Sequence, residues 1–172
     1  EIFEQNGFIY PMDRYVWEHT CMLLQRWRAE GRAMLPLSVN VSRRDMQHAD
    51  VIAYLCGLVE QYEIPIDLLR LEITETAFAG AQKEVLERVR ELVRLGFTVE
   101  IDDFGSGYSS LNILKDVPAA ILKLDMRFFE STENEERAGN IIETVVHMAR
   151  WLNMGVIAEG VENEYQADFL VS

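Results

Sequence analysis

One kind of position in this sequence repeatedly carries residues that can do chemistry: the ends of short apolar runs. Asn40 stands at the end of the run 35–41. Glu72 lies inside the run 68–74, and Glu75 follows it. Asp102 and Asp103 close the run that begins at Phe97. Lys123 and Asp125 lie in and just after the run 121–124, and Glu159 closes the run 155–158. Carboxamide and carboxylate oxygens are hard donors, which suit Mg²⁺, Mn²⁺ or Ca²⁺ rather than zinc in a thiolate site. Four or five carboxylates gathered within a few ångströms repel one another strongly without cations among them. One divalent ion offsets about two of them, so the number of acids points to two metals. Two ions roughly 3.5–4 Å apart suit in-line hydrolysis of a phosphodiester. One ion activates the water, and both steady the oxygens that gain charge. A lysine beside them orients the water or stabilises charge on the phosphate.

Such a cluster forms only if the runs are strands whose ends meet, and the intervening pattern supports that. Residues 13–29 read as a helix: Trp17, Cys21 and Leu24 share a face, with Val16, Leu23 and Trp27 beside it. Ser42 reads as the N-cap of a helix reaching about residue 62. Residues 83–95 read as a helix with Leu86, Val89 and Val93 on one face, and Gly96 follows as its C′ residue. A Gly105-Ser106-Gly107 loop leads into a short helix. Residues 136–152 form a helix with Ile141, Val145, Met148 and Leu152 stacked along it, and a last helix starts near Asn163. Strand alternating with helix implies parallel strands joined by right-handed crossovers, either as an open sheet or as a barrel. In such folds the C-terminal strand ends share one face, where ligands bind. The polar residues above therefore converge, although they are far apart in sequence.

Composition narrows the class further. The 172 residues are 49% hydrophobic and 26% charged, which is one domain with enough apolar material for a core. No apolar run approaches the roughly 20 residues of a membrane span, and the first residues lack the basic and apolar regions of a secretory signal. With 16 Lys+Arg against 29 Asp+Glu, the formal net charge is −13. That repels DNA, RNA and acidic lipid, so no nucleic-acid or membrane contact is expected. Cys21 and Cys56 are too few for a disulfide framework, and both read as reduced core residues of a cytoplasmic protein.

Each polar residue also has a plainer reading. Asn40 alone suits a turn. Glu72 suits a buried ion pair, and Asp102-Asp103 suits a turn or cap. Lys123 suits a pair with Asp125. Glu162 and Glu164 suit a helix's first turn, where they favour the dipole. His19, His48 and His147 fall mid-helix without paired spacing. Recurrence at successive strand ends is what separates the cluster from these readings.

The ordered runs Ser38-Val39-Asn40-Val41-Ser42, Leu71-Glu72-Ile73-Thr74-Glu75, Asp102 to Leu111, Leu122-Lys123-Leu124-Asp125 and Ala158 to Asn163 closely resemble the bacterial EAL-domain phosphodiesterases. So do the opening Gln5-Asn6-Gly7-Phe8-Ile9 and Met12-Asp13-Arg14. The resemblance covers essentially residues 1–172 as a single domain. It implies a parallel (β/α)8 TIM-type barrel, of which about five βα units are present. It implies hydrolysis of cyclic di-GMP, a bacterial second messenger, to linear pGpG with two Mg²⁺ or Mn²⁺ ions. By motif, Asn40, Glu72, Asp102, Asp103 and Glu159 match metal ligands. Lys123 is similar to the lysine that positions the attacking water. Asp125 matches the acid two residues after it, and Glu75 matches the glutamate that holds the Asp-Asp-Phe-Gly loop. The resemblance also implies a homodimer through the Asp103–Ser110 region, and a cytoplasmic domain or the cytoplasmic part of a larger membrane-anchored sensor. The Glu-Ala-Leu motif and the strand after the last helix are not in this chain. It therefore reads as truncated at both ends and, by itself, inactive. The competing expectation is an inactive relative that binds cyclic di-GMP or a partner protein as a regulatory module.

Overall fold

The computed structural model describes residues 8–78, 83–105, 111–125 and 135–171. Five parallel strands lie side by side in chain order: β1 (Leu37–Asn40), β2 (Leu69–Thr74), β3 (Thr98–Phe104), β4 (Ile121–Asp125) and β5 (Gly155–Glu159). Helices occupy the crossovers. α1 (Ile9–Ala29) precedes β1, and α2 (Val51–Gln61) links β1 to β2. The short α3 (Glu75–Phe78) and α4 (Lys83–Leu95) lead to β3. α5 (Leu111–Asp116) leads to β4, α6 (Glu135–Trp151) to β5, and α7 (Glu164–Val171) follows. The sheet is open between β1 and β5, as an incomplete barrel is. Among the described residues, no helix is long and apolar enough to cross a membrane.

Alternation along the strands divides the sheet into two unlike faces. Leu69, Leu71 and Ile73 of β2, Val99 and Ile101 of β3, and Leu122 of β4 are fully buried. They form the core together with Trp17, Cys21 and Leu24 of α1, Leu55 of α2 and Val89 and Leu92 of α4. The alternate positions are polar and share the other face: Ser38 and Asn40, Arg70, Glu72 and Thr74, Glu100 and Asp102, Lys123 and Asp125, and Glu159. Register fixes this, because Asn40 pairs with Glu72, Glu72 with Glu100, and Asp125 with Glu159. Parallel partners point the same way. Gly96 ends α4 at φ +107°, where a side chain would be strained and a Cβ would lie 3.1 Å from Ile66.

Three expectations need correction. The segment after Ser42 is not one helix to residue 62. Residues Asp45–Gln47 form a single 3₁₀ turn, His48 is extended at ψ 129°, and α2 begins only at Val51. Ser42 caps that turn: its hydroxyl accepts the Asp45 N–H at 3.1 Å, and Asp45 Oδ2 accepts the Ser42 N–H at 2.7 Å. Ile141 on α6 and Leu152 just past its end are exposed; Val145 and Met148 pack against the core, and Ile142 and Ala149 are buried. A helix this rich in apolar residues offers two adjacent stripes, and tertiary packing chose the neighbouring one. On α4, Val85 and Leu92 are buried beside Val89, while Leu86 and Val93 flank them. Both cysteines are free. Burial, reinforced by the charge of Glu18, pushes the Cys21 thiol up to about 12, so it is inert at neutral pH.

Leu71→Ala at the centre of the apolar face should cost about 2–5 kcal/mol through lost burial and a cavity. Trp151→Ala, at a side chain 83% exposed, should stay within about 0.5 kcal/mol. Urea unfolding of the two variants beside wild type checks both values.

Candidate active site

Four strand ends meet at one lysine. Lys123, near the end of β4, is only 7% exposed. Its ammonium lies 2.6 Å from Glu72 Oε1 on β2, 3.1 Å from Asp102 Oδ1 on β3 and 2.8 Å from Glu159 Oε1 on β5. Burial alone would push this ammonium down. The hydrogen bonds to Glu159 and Glu72, with the nearby Asp102 carboxylate, outweigh it and hold Lys123 well above the usual lysine range. Glu72 is pulled both ways. Burial raises it, Lys123 lowers it, and the charges of Asp102 and Glu100 raise it again, leaving it above the ordinary glutamate value.

Local backbone explains how consecutive acids come to the end of β3. Ile101 pairs with Leu122 and Phe104 with Leu124, so β3 holds one more residue than β4 across this stretch. That bulge contains Asp102 and Asp103, and Asp103 takes up the extra turn at φ 53°. Gly105 continues at φ 100°, and its N–H donates to Glu75 Oε2 at 3.1 Å. Glu75 is itself buried at the start of α3. Asp125 is buried at the end of β4 opposite Glu159. Asn40 is exposed at the end of β1, opposite Glu72. Its backbone carbonyl accepts the indole N–H of the fully buried Trp17 at 2.9 Å. Residues 106–110, which hold the rest of the Gly-Ser-Gly loop and of the expected dimer segment, lie outside the described residues, as do Gln5-Asn6-Gly7.

A layer below, Glu100 is 1% exposed and accepts hydrogen bonds from Ser38 Oγ at 3.1 Å and Arg70 Nη1 at 3.2 Å. Sequence reading missed Ser38, Arg70 and Glu100. The signal was present in the alternation of Arg70, Glu72 and Thr74 with Leu69, Leu71 and Ile73, which marks a polar inner face along the whole strand. The histidines stand apart from the cluster: His48 stacks on Tyr10, the His19 Nδ1–H donates to the Tyr15 carbonyl, and His147 lies 3.8 Å from Glu143.

The donors here are those a hard divalent cation takes: carboxylates of Glu72, Asp102 and Glu159, with Asn40 in register beside Glu72. Asp102 Oδ1 is buried and makes no well-aligned hydrogen bond despite its 3.1 Å approach to Lys123, so it retains a lone pair for a cation. In this conformation the positive charge among the acids is the ammonium. Among the described residues, no three His, Cys, Asp or Glu side chains surround a common ion position.

The EAL domain model matches residues 1–172. The signaling protein YkoW of Bacillus subtilis is 31% identical over 169 residues, covering 98% of this chain and 21% of YkoW. The bifunctional diguanylate cyclase/cyclic di-GMP phosphodiesterase MucR of Pseudomonas aeruginosa is 32% identical over 167 residues, covering 97% of this chain and 24% of that protein. The chain thus spans about a quarter or less of these relatives. A solved structure described as the PaMucR phosphodiesterase in complex with c-di-GMP superposes with TM-score 0.87 and 30% identity, covering 99% of this chain and 74% of that one.

Replacing Lys123 by Met should expose how far the cluster depends on it. A lysine with a raised folded pKa stabilises at all pH below about 10, so wild type keeps this contribution through neutrality. Without the ammonium, three neighbouring carboxylates resist ionisation, and the loss should grow as pH rises from about 4 to 7. We expect a cost on the order of 3 kcal/mol at pH 7 and distinctly less at pH 4.5, read by urea unfolding at both pH values. An equal cost at the two would show that charge does not couple these groups.

Proposed function

Because this chain belongs to the EAL domain family, we propose that it is the catalytic domain of a metal-dependent phosphodiesterase that opens cyclic di-GMP to linear pGpG. The observation that carries this reading is the meeting of Glu72, Asp102 and Glu159 around Lys123 at the ends of four parallel strands. Relatives named as cyclic di-GMP phosphodiesterases support the substrate.

In this reading Asn40, Glu72, Asp102, Asp103 and Glu159 hold two Mg²⁺ or Mn²⁺ ions. When bound, the ions supply a water acidic enough to attack at neutral pH and positive charge for the phosphate oxygens. The chain's own residues do the rest. Lys123, a permanent ammonium at working pH, donates hydrogen bonds that orient the attacking water and offset charge on the phosphate. The bulge at Asp102-Asp103 aims one acid at the cluster and turns the chain with the next. Glu75 accepts the Gly105 N–H and so anchors the exit of β3 beside the site. Asp125 is buried at the end of β4, in register with Glu159. The surplus of acids elsewhere repels an anionic substrate, so binding depends on cations concentrated at this one place.

Hydrolysis of cyclic di-GMP by the intact protein, with Mg²⁺ or Mn²⁺ and with chelator, tests the reading. Asp102→Asn should cut kcat by at least about 100-fold while leaving thermal unfolding nearly unchanged, since the amide matches the shape but not the charge of a ligand. An Asn variant of normal activity and metal dependence would make Asp102 a loop residue alone. Glu75→Ala should weaken Mn²⁺ binding about 10–100-fold by calorimetry, because it removes the acceptor that orients the Asp-Asp-Phe-Gly segment. Unaltered Mn²⁺ affinity would limit Glu75 to a structural role.

A further inference from the structure

We propose that Trp17 is a positioning residue for the site: its indole N–H locks the peptide unit between Asn40 and Val41, and so holds Asn40 in place beside Glu72. The consequence for metal binding rests on the phosphodiesterase reading; the lock itself does not.

The lock is one peptide plane held from both sides. The Asn40 carbonyl accepts the Trp17 indole N–H at 2.9 Å. The Val41 N–H, at the other end of the same C–N bond, donates to the Glu72 carbonyl at 2.8 Å. The carbonyl and N–H of a trans peptide point in opposite directions from a rigid plane. Bonded on one side only, such a plane still rocks about the φ and ψ on either side of it. Bonded on both, it is fixed. Among the described residues β1 is an edge strand that pairs with β2 alone. No described strand offers a donor to the Asn40 carbonyl, and an indole from α1 takes that place.

What the plane carries is the end of β1. Val39 and Val41 are buried, so Asn40 between them belongs to the polar face of the sheet. Asn40 is in register with Glu72, and the backbone of Glu72 itself accepts the Val41 N–H. Two hydrogen bonds thus run from the core, through one peptide, to the backbone of a second strand. They tie Asn40 and Glu72, both taken as metal ligands in the reading above, to a single indole.

The indole is held in turn. Trp17 is 0% exposed. The Tyr10 ring meets it edge-on at 6.2 Å and 73°, and Tyr54 of α2 lies tilted against it at 6.3 Å. Tyr10 is fastened by its hydroxyl to Asp50 at 2.8 Å and by its ring to His48. Arg14 covers Tyr54 at 3.8 Å. This packing fixes the rotamer of Trp17 and therefore the aim of its N–H. A core filler needs only the shape of the ring, whereas a positioning residue needs the N–H, and the two roles separate in an isostere.

Replacing Trp17 by β-(3-benzothienyl)alanine in the intact protein keeps the ring system and removes only the N–H. The order parameter of the Val41 N–H from nitrogen-15 relaxation, measured without ions, should fall from about 0.85 toward about 0.6 while that of Leu71 holds. Unchanged order at Val41 overturns the lock. Calorimetry should show Mn²⁺ binding weakened about 10-fold or more. Val89→Ala, which loses core packing alone, should leave Mn²⁺ affinity where it was. Wild-type affinity in the benzothienyl protein, or an equal loss in Val89→Ala, overturns the link to the metal ligands. If the isostere does not fold, wild type carries the test. A through-hydrogen-bond coupling from the indole nitrogen to the Asn40 carbonyl carbon should be present, and its absence overturns the lock. The indole N–H resonance should move with Mg²⁺ at the midpoint found by calorimetry, and an indole blind to bound Mg²⁺ overturns the link. A wild-type protein that binds neither ion overturns the metal reading alone, and the order parameter and the coupling still decide the lock.

Discussion

An ammonium held within 3.1 Å of three carboxylates is the interaction on which the rest of this molecule depends. Lys123 connects β4 to β2, β3 and β5 through side chains, across a sheet whose own hydrogen bonds connect only neighbours. Remove its charge and three acids face one another in a partly dry pocket, where each resists ionisation. Their attraction to it, in turn, requires the register that the strands adopt. A slip of one residue along β2 would send Glu72 into the apolar face and bring Ile73 to the cluster. The apolar face forbids this, because Leu69, Leu71 and Ile73 are buried there without remainder. Core burial and the polar cluster therefore select the same register from opposite sides of the sheet.

Much of this was legible in the sequence, and for a physical reason. Parallel strands in chain order put all C-terminal ends on one side, so recurrence of acids after apolar runs translates directly into proximity. Glu72, Asp102, Lys123 and Glu159 could be brought together on that rule alone. The five strands and the helices around them were legible from hydrophobic period, because each must bury one side. What escaped were choices that tertiary contact makes among near-equal options. α6 and its exit offer Ile141 and Leu152 as readily as Ile142 and Ala149, and only the sheet beneath decides. The stretch after Ser42 has helical composition, yet Asp45 turns back to cap it and His48 leaves the helical region.

The bulge in β3 was hidden for a similar reason. Two consecutive aspartates read as a turn, since a regular strand would aim them at opposite faces. The extra residue between Ile101 and Phe104 resolves the conflict by giving one of them the bend, at a positive φ that aspartate tolerates better than most residues. Trp17 was read as core and is core, but its indole N–H also reaches the end of β1. Periodicity records that a side chain is buried and carries nothing about the one polar atom it brings with it.

Beneath the cluster, the Ser38–Glu100–Arg70 contacts give the inner face a second polar layer, and it differs from the first in a way that separates structure from chemistry. Glu100 accepts from both neighbours, one on β1 and one on β2, so its charge is met by an arginine and a hydroxyl aimed at separate oxygens. A buried pair of this kind adds little net stability, because desolvation offsets the attraction. It does hold three strands at a fixed offset, since Ser38 and Arg70 are register partners and Glu100 lies beside Glu72. The upper layer has the opposite balance: one ammonium for three carboxylates, and an aspartate oxygen left without a well-aligned donor. Charge is matched where the sheet must only be held in place. It is left in deficit at the strand ends, where a cation from outside would complete it.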